Sequence, residues 1–387
     1  MSLPFVTTWS FPTRILFGRG AVRHTGVELA RLGGKHALIV TDRGVVGAGL
    51  LAPVEVALRE AGLAATVFQG VVGNPVESNV EDGARAFRDA GADCVVSLGG
   101  GSPLDVGKLV ALRAHHHRPL VDYDDATGGD RFIGPEVPPI VTIPTTAGTG
   151  SEVGRSGVVT LDQNHRKTVI FSPHLLAKVA ILDPELSATM PPFVTAATGY
   201  DALTHLFEAF VAKGDHPLAD GIAQEGLRLV ASHLERAVTH GHDLEARGGM
   251  LKAAMLGAVA FQKGLGACHS LAHPLSSEHG LHHGLANALC LPPVAEYVAG
   301  VARDRLAHAS RLLGGEPTAA GCVAVLRSIR ERIDLPAGLG DATRGNPGVP
   351  RQGLGALADL AFLDACHQSS PRACTRDDLL RLYEASY

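Results

Sequence analysis

The chain has 387 residues, 45% of them hydrophobic and 19% charged, which provides apolar material for two buried cores and excludes a disordered protein. Its net charge of −5 comes from 34 basic and 39 acidic residues without long runs of either, so no nucleic-acid footprint is visible and a small molecule is the expected partner. The start lacks a basic segment followed by an apolar one, the apolar stretch 284–302 is interrupted by Asn287, Pro292, Pro293 and Glu296, and the six cysteines show no close pairing; a reduced, cytoplasmic protein without a membrane span is expected.

In the first half, strands are predicted at His36–Thr41, Ala65–Phe68, Asp93–Leu98, Pro139–Ile143, Gly157–Leu161 and Val179–Leu182, all short runs rich in Val, Ile or Leu. Between them, Leu50–Ala61, Val80–Ala90 and Pro103–Ala114 carry apolar residues at helical spacing. This β-α-β rhythm predicts a doubly wound, Rossmann-like α/β domain over residues 1–188 that binds a nucleotide. After Leu182-Asp183-Pro184 the strand-like runs stop, Pro191-Pro192 suits the first turn of a helix, and an all-helical domain is expected over 189–387. Gly345–Gly355, with Pro347 and Pro350, reads as a surface loop.

Two loops in the first half suit an anion. Gly99-Gly100-Gly101-Ser102-Pro103 follows a predicted strand and opens a helix, where glycines admit a phosphate, Ser102 can cap and Pro103 fits the first turn. Thr145-Thr146-Ala147-Gly148-Thr149 follows the next strong strand and offers hydroxyls and amides. Neither matches a dinucleotide fingerprint or a Walker A motif, so spacing alone leaves a dinucleotide, a mononucleotide or a sugar phosphate open. Asp42 closes the strand His36–Thr41, where a carboxylate can accept from ribose hydroxyls and repel a 2′-phosphate; the position fits a solvated loop aspartate equally well.

In the second half, Asp201 and His205 stand four apart in a helical stretch, His269 and His273 repeat that spacing, and His283 follows in His282-His283-Gly284. Either pair alone also describes an exposed polar face. Both pairs and His283 in otherwise apolar helices favour a bound zinc or ferrous ion, for which imidazole and one carboxylate are suitable donors. His115-His116-His117 and the His240/His242 turn are expected to be solvated loops, and His279 and His282 have no fixed direction.

With these residues in view, the sequence resembles the iron-containing (group III) alcohol dehydrogenase family, of dehydroquinate synthase-like architecture. The likeness is carried by Phe11–Gly18, Gly99–Lys108, Thr145–Glu152, Gly199–Glu208 and His269–Asn287, in the family's order, and thins after about Pro293. The resemblance implies Asp201, His205, His269 and His283 as ligands of Fe2+ or Zn2+, with His273 a non-ligand histidine relaying a proton. It implies NAD held by Asp42, Asn74, Gly100, Gly101, Ser102, Thr145, Thr146, Thr149 and Lys167. It further implies hydride transfer between NAD(H) and a small primary or secondary alcohol or aldehyde, in a homodimer to which the β-prone Thr13–Phe17 could contribute by pairing across subunits. Cys268, His282, Gly154 and Ser156 depart from the family pattern and bear on substrate preference. Maleylacetate reductase-like reduction of an oxo acid and a dehydroquinate synthase-type lyase share the architecture. The first is metal-free in its family, whereas all four ligands are present here, and the second needs basic residues that His269–Asn287 hardly offers. A non-catalytic binding protein would leave the metal set without purpose.

Overall fold

A computed structural model describes residues 11, 13–163, 166–341 and 348–387. The chain divides into two compact units: one runs from the first strand to Thr146 and resumes over Gly150–Thr189, and the other holds Met190–Tyr387 together with the passage Ala147–Thr149.

In the α/β unit the elements are β1 (Arg14–Phe17), α1 (Thr25–Arg31), β2 (His36–Asp42), α2 (Arg43–Gly47), α3 (Ala52–Glu60), β3 (Ala64–Val71), α4 (Glu77–Ala90), β4 (Cys94–Gly99), α5 (Gly101–His115), β5 (Ile140–Pro144), β6 (Ser156–Thr160), β7 (Lys167–Phe171) and β8 (Val179–Leu182). Six strands form one parallel sheet in the order β1-β8-β5-β4-β2-β3. Strand periodicity divides the sheet's side chains between two cores: Leu38, Val40 and Val95 pack with Val106, Leu109 and Val110 of α5, while Ala37, Ile39, Val96 and Leu98 pack with Leu29, Val54 and Leu58 of α1 and α3. With helices on both faces, β4 and β5 are buried throughout and β2 is buried except at its ends, and all three read as mostly apolar runs.

The chain steps from β2 to β3 on one side and then to β4 on the other, so the strand order reverses beside the carboxyl ends of β2 and β4. In parallel sheets such a switch point is where a crevice for a ligand opens.

One expectation changes. Gly157–Leu161 is not part of the parallel sheet; its strand β6 pairs antiparallel with β7 in a separate two-stranded sheet. No α-helix separates β5 from β6, so the chain has no crossover able to return it parallel to β5. β7 is hidden in the sequence by its five-residue length and the polar residues before it. Thr13–Phe17 forms β1, whose inner edge pairs with β8 of the same chain, from Arg14 opposite Val179 to Phe17 opposite Leu182. Among the described residues β1 is the last strand on that side of the sheet.

The helical unit comprises α6 (Pro192–Val211), α7 (Pro217–Thr239), α8 (Leu244–Ala260), α9 (Ala267–His279), α10 (His283–Val298), α11 (Arg303–Leu312), α12 (Ala319–Arg332), α13 (Leu354–Leu363) and α14 (Arg376–Ala385). Helix α6 starts with Pro192 in its first turn, as expected, and every residue from Thr195 to Val211 is buried. The loop expected at Gly345–Gly355 lies partly outside the described residues, and its end opens into α13. The six cysteines are free thiols, and among the described residues no helix is long and apolar enough to cross a membrane.

Candidate metal centre and cofactor loops

Asp201 and His205 project from α6 one turn apart and Glu208 follows on the same face, since positions i, i+4 and i+7 share a stripe of an α-helix. All three are buried, which removes the exposed-face reading. His269 is buried on α9, and His283 is the first residue of α10. The start of α10 lies against α6 because Gly284 has no side chain: a Cβ there would stand 2.0 Å from the Ala197 carbonyl oxygen and 3.2 Å from the Asp201 Cβ. That close approach brings His283 to Asp201.

Around Asp201 Oδ1, the Nε2 atoms of His283, His269 and His205 lie at 3.6, 3.8 and 4.0 Å. These separations are too long for hydrogen bonds and suit donors sharing one ion, where bonds of about 2.1 Å at tetrahedral angles place donors about 3.4 Å apart. The Asn287 amide, one turn after His283, donates to Asp201 Oδ1 at 2.7 Å and stands 3.4 Å and 3.3 Å from the Nε2 atoms of His269 and His283. Asp201 has no Lys or Arg ion pair among the described residues. A buried carboxylate facing imidazole lone pairs lacks compensation until a cation neutralises it, so the donor set fits a divalent ion.

The tautomer of His269 follows from its neighbour. Its Nδ1 lies 2.6 Å from Glu208 Oε2, and a carboxylate can only accept, so Nδ1 holds the proton and Nε2 turns its lone pair toward Asp201. Glu208 is itself held by the Cys268 amide at 2.7 Å. Burial would lower the His269 imidazole, but Glu208 and Asp201 raise it above its ordinary value. His205 is pushed down to about 4 by burial, which keeps it neutral and available as a ligand.

His273 stays outside this group. It is partly exposed, with Nδ1 2.7 Å from Asp364 Oδ2, and with Asp364 and Cys366 it forms a second group whose donor atoms lie within 4.8 Å of one another. His282 occupies the N-cap position of α10 without a side-chain capping bond and packs edge-on against Phe193, and His279 is half-buried at the end of α9. Within the His115–His117 run only the flanking residues are exposed; His116 is half-buried and its Nε2 accepts from the Gly134 amide at 2.9 Å, so that member is a structural tie and not a solvated side chain.

The cofactor candidates gather at the carboxyl ends of the parallel strands. Asp42 ends β2 and Asn74 lies exposed between β3 and α4. Gly100, Gly101 and Ser102 follow β4, and Thr145 and Thr146 follow β5. The last two loops touch, the Thr145 amide donating to the Gly99 carbonyl at 2.9 Å, while Gly99 needs its freedom at φ +148°. Ser102 does not cap α5: Gly100 is the N-cap, and the Ser102 hydroxyl donates instead to the Gly73 carbonyl at 2.7 Å, tying the Asn74 loop to the glycine loop. Asp42 is neither a free loop residue nor wholly available to a ribose, since one oxygen accepts from the Val45 amide at 2.8 Å and caps α2. Lys167 begins β7, and Thr149 is grouped with the helical unit.

Glu208, Asn287 and Asp364 were not assigned from sequence. Glu208 and Asn287 were within reach of helical spacing from His205 and His283; Asp364, 91 positions from His273, left no signal.

The family described as iron-containing alcohol dehydrogenase matches residues 12–184, and its C-terminal part matches residues 195–387. A 4-hydroxybutyrate dehydrogenase of Cupriavidus necator is 39% identical, with 97% of this chain and 98% of the relative covered. An NAD-dependent methanol dehydrogenase of Bacillus methanolicus is 36% identical, covering 97% and 99%. The crystal structure of a 1,3-propanediol oxidoreductase superposes with a TM-score of 0.93 at 35% identity, covering 98% of this chain and all (100%) of that one. The chain therefore belongs to the iron-containing alcohol dehydrogenase family.

Proposed function

We propose that this protein interconverts small primary or secondary alcohols and their carbonyl counterparts with NAD(H), using a divalent ion held by Asp201, His205, His269 and His283. The convergence of buried Asp201, His205 and His269 with half-buried His283 carries the reading. When bound, the metal supplies Lewis acidity toward the substrate oxygen, and the nicotinamide gives or takes the hydride. The protein's own contribution is orientation and proton handling. Glu208 fixes the ligand face of His269, Asn287 holds Asp201, and His273 relays the proton exchanged with the substrate hydroxyl. The glycine and threonine loops, at a strand-order switch, offer amides and hydroxyls to a pyrophosphate. Each relative named above is called a dehydrogenase or an oxidoreductase, which does not favour the lyase alternative, and each is named for an alcohol, a diol or a hydroxy acid and none for an oxo acid.

A panel of short alcohols, diols and hydroxy acids with NAD and NADP, read by nicotinamide absorbance with and without added Fe2+ or Zn2+, tests the reading. Metal-dependent turnover with NAD preferred is expected. Asp42→Gly is expected to narrow the gap between the cofactors; equal use of both by the unaltered protein contradicts the placement of Asp42 at the ribose. The homodimer that the family resemblance implies would register in sedimentation as twice the 40.2 kDa chain. Six free thiols support a reducing, cytoplasmic setting.

A further inference from the structure

His273 lies one turn after His269 on α9, its ring stacked on that of His283 with centroids 5.3 Å apart and planes 13° from parallel. Its Nδ1 meets Asp364 Oδ2 at 2.7 Å. Asp364 stands at the C-cap of α13 and is anchored from two sides through its other oxygen, which accepts from the buried Ser270 hydroxyl at 2.7 Å and from the Cys366 amide at 2.8 Å. Ser270 is fixed in turn by the His367 amide, which donates to its hydroxyl at 2.8 Å. Burial would raise the Asp364 carboxyl, but its bonds to His273, Ser270 and the Cys366 amide hold it well below the usual carboxylate range. It is therefore an anion that only accepts, held by donors from α9 and from the turn after α13.

We propose that Asp364 is a positioning residue for the reaction: by accepting the Nδ1 proton of His273 it selects that ring's tautomer, leaving Nε2 as the atom that takes and returns the substrate's proton. The inference rests on the reading of His273 as the proton relay. An imidazole with a free Nδ1 samples both tautomers and rotates about its side-chain bonds, whereas a carboxylate 2.7 Å away holds one tautomer and one ring orientation. His269 and Glu208 show the same pairing of carboxylate and Nδ1, so α9 carries two oriented histidines with different partners and different work.

Asp364→Asn is expected to lower kcat about 10- to 100-fold with KM and bound metal little changed, because the amide can offer Nδ1 a donor and force the wrong tautomer. Asp364→Glu keeps a carboxylate and is expected to retain more of the rate than Asp364→Asn. The double variant His273→Ala/Asp364→Asn is expected to be no slower than His273→Ala alone, since Asp364 acts only through His273. A readout independent of turnover uses the metal-free protein: nitrogen-15 spectra of its histidines, with the His273 signal identified by its loss in His273→Ala, are expected to show Nδ1–H in the unaltered chain and a shift toward Nε2–H in Asp364→Asn. Unchanged kcat in Asp364→Asn, multiplying losses in the double variant, a slower Asp364→Glu than Asp364→Asn, or an Nε2–H tautomer in the unaltered chain would each overturn the proposal. Full activity of His273→Ala would instead overturn the relay reading on which it rests, and the tautomer measurement would still report on Asp364.

Discussion

His269→Ala is expected to purify with little bound metal and to lose about 1,000-fold or more of its kcat/KM, a loss of about 4 kcal/mol in transition-state stabilisation. The substitution removes one of the imidazole donors around Asp201 and strands Glu208, whose Oε2 accepts the His269 Nδ1 proton at 2.6 Å. Two effects therefore combine: a missing ligand and a buried carboxylate with only the Cys268 amide left as donor. His273→Ala, one turn away, is expected to keep its metal while turnover falls, because His273 bonds to Asp364 and not to Asp201. Metal analysis of the two purified variants beside their steady-state kinetics separates these roles. Retained metal in His269→Ala together with lost metal in His273→Ala would reverse the assignment.

Lys108→Ala is expected to be the most damaging single change to the stability of the α/β unit, costing about 3–5 kcal/mol. Lys108 is fully buried on α5, its ammonium bonded to the Ser151 hydroxyl at 2.7 Å and the Ser156 carbonyl at 2.6 Å, with Asp105 at 3.4 Å. Asp105 also accepts from the Ser151 hydroxyl and, at 3.2 Å, from the Val158 amide, so one cation organises the turn between β5 and β6 against α5. Burial pushes the Lys108 ammonium down, while Asp105 and Glu152 draw it back up. Truncation leaves Asp105 and Glu152 without that charge. Burial lifts Glu152 from 4.5 to about 7, opposed by Lys108, so its folded-state value lies above its unfolded one. Its contribution favours folding below about 4.5 and is lost as pH rises through about 7. With Lys108 gone the ionised carboxylate keeps only its backbone hydrogen bond to offset burial, and the stability gap between variant and parent should widen above pH 7. Urea unfolding at pH values on both sides of 7 reads this; equal stability of the two proteins at every pH would rule it out.

The sequence was most legible where one physical constraint acts on consecutive residues. The parallel strands stand out because helices on both faces bury every position and make nearly all of them apolar, as in Cys94–Gly99 and Ile140–Pro144, where Ser97 and Thr142 are the polar exceptions. The Asp201/His205 and His269/His273 pairs stand out because polar residues at helical spacing interrupt otherwise apolar helices. Periodicity alone could not say which member of the second pair faces the ion, since His269 and His273 share a helix face and separate only through Glu208 and Asp364. Nor does composition distinguish β6 from a strand of the main sheet, because the difference lies in its connection and not in Ser156–Thr160 itself. Ser102 misled for a related reason: its hydroxyl suits a cap by residue type, yet its partner is a carbonyl 29 positions earlier.

The central claim, one divalent ion among Asp201, His205, His269 and His283, is tested most directly by diffraction from crystals of the metal-loaded protein at wavelengths spanning the iron and zinc absorption edges. A single anomalous peak within bonding distance of those four side chains, with His273 outside its coordination sphere, is the expected result. A peak at His273, Asp364 and Cys366 instead, or no peak beside Asp201 in a protein that turns over alcohol, would contradict it.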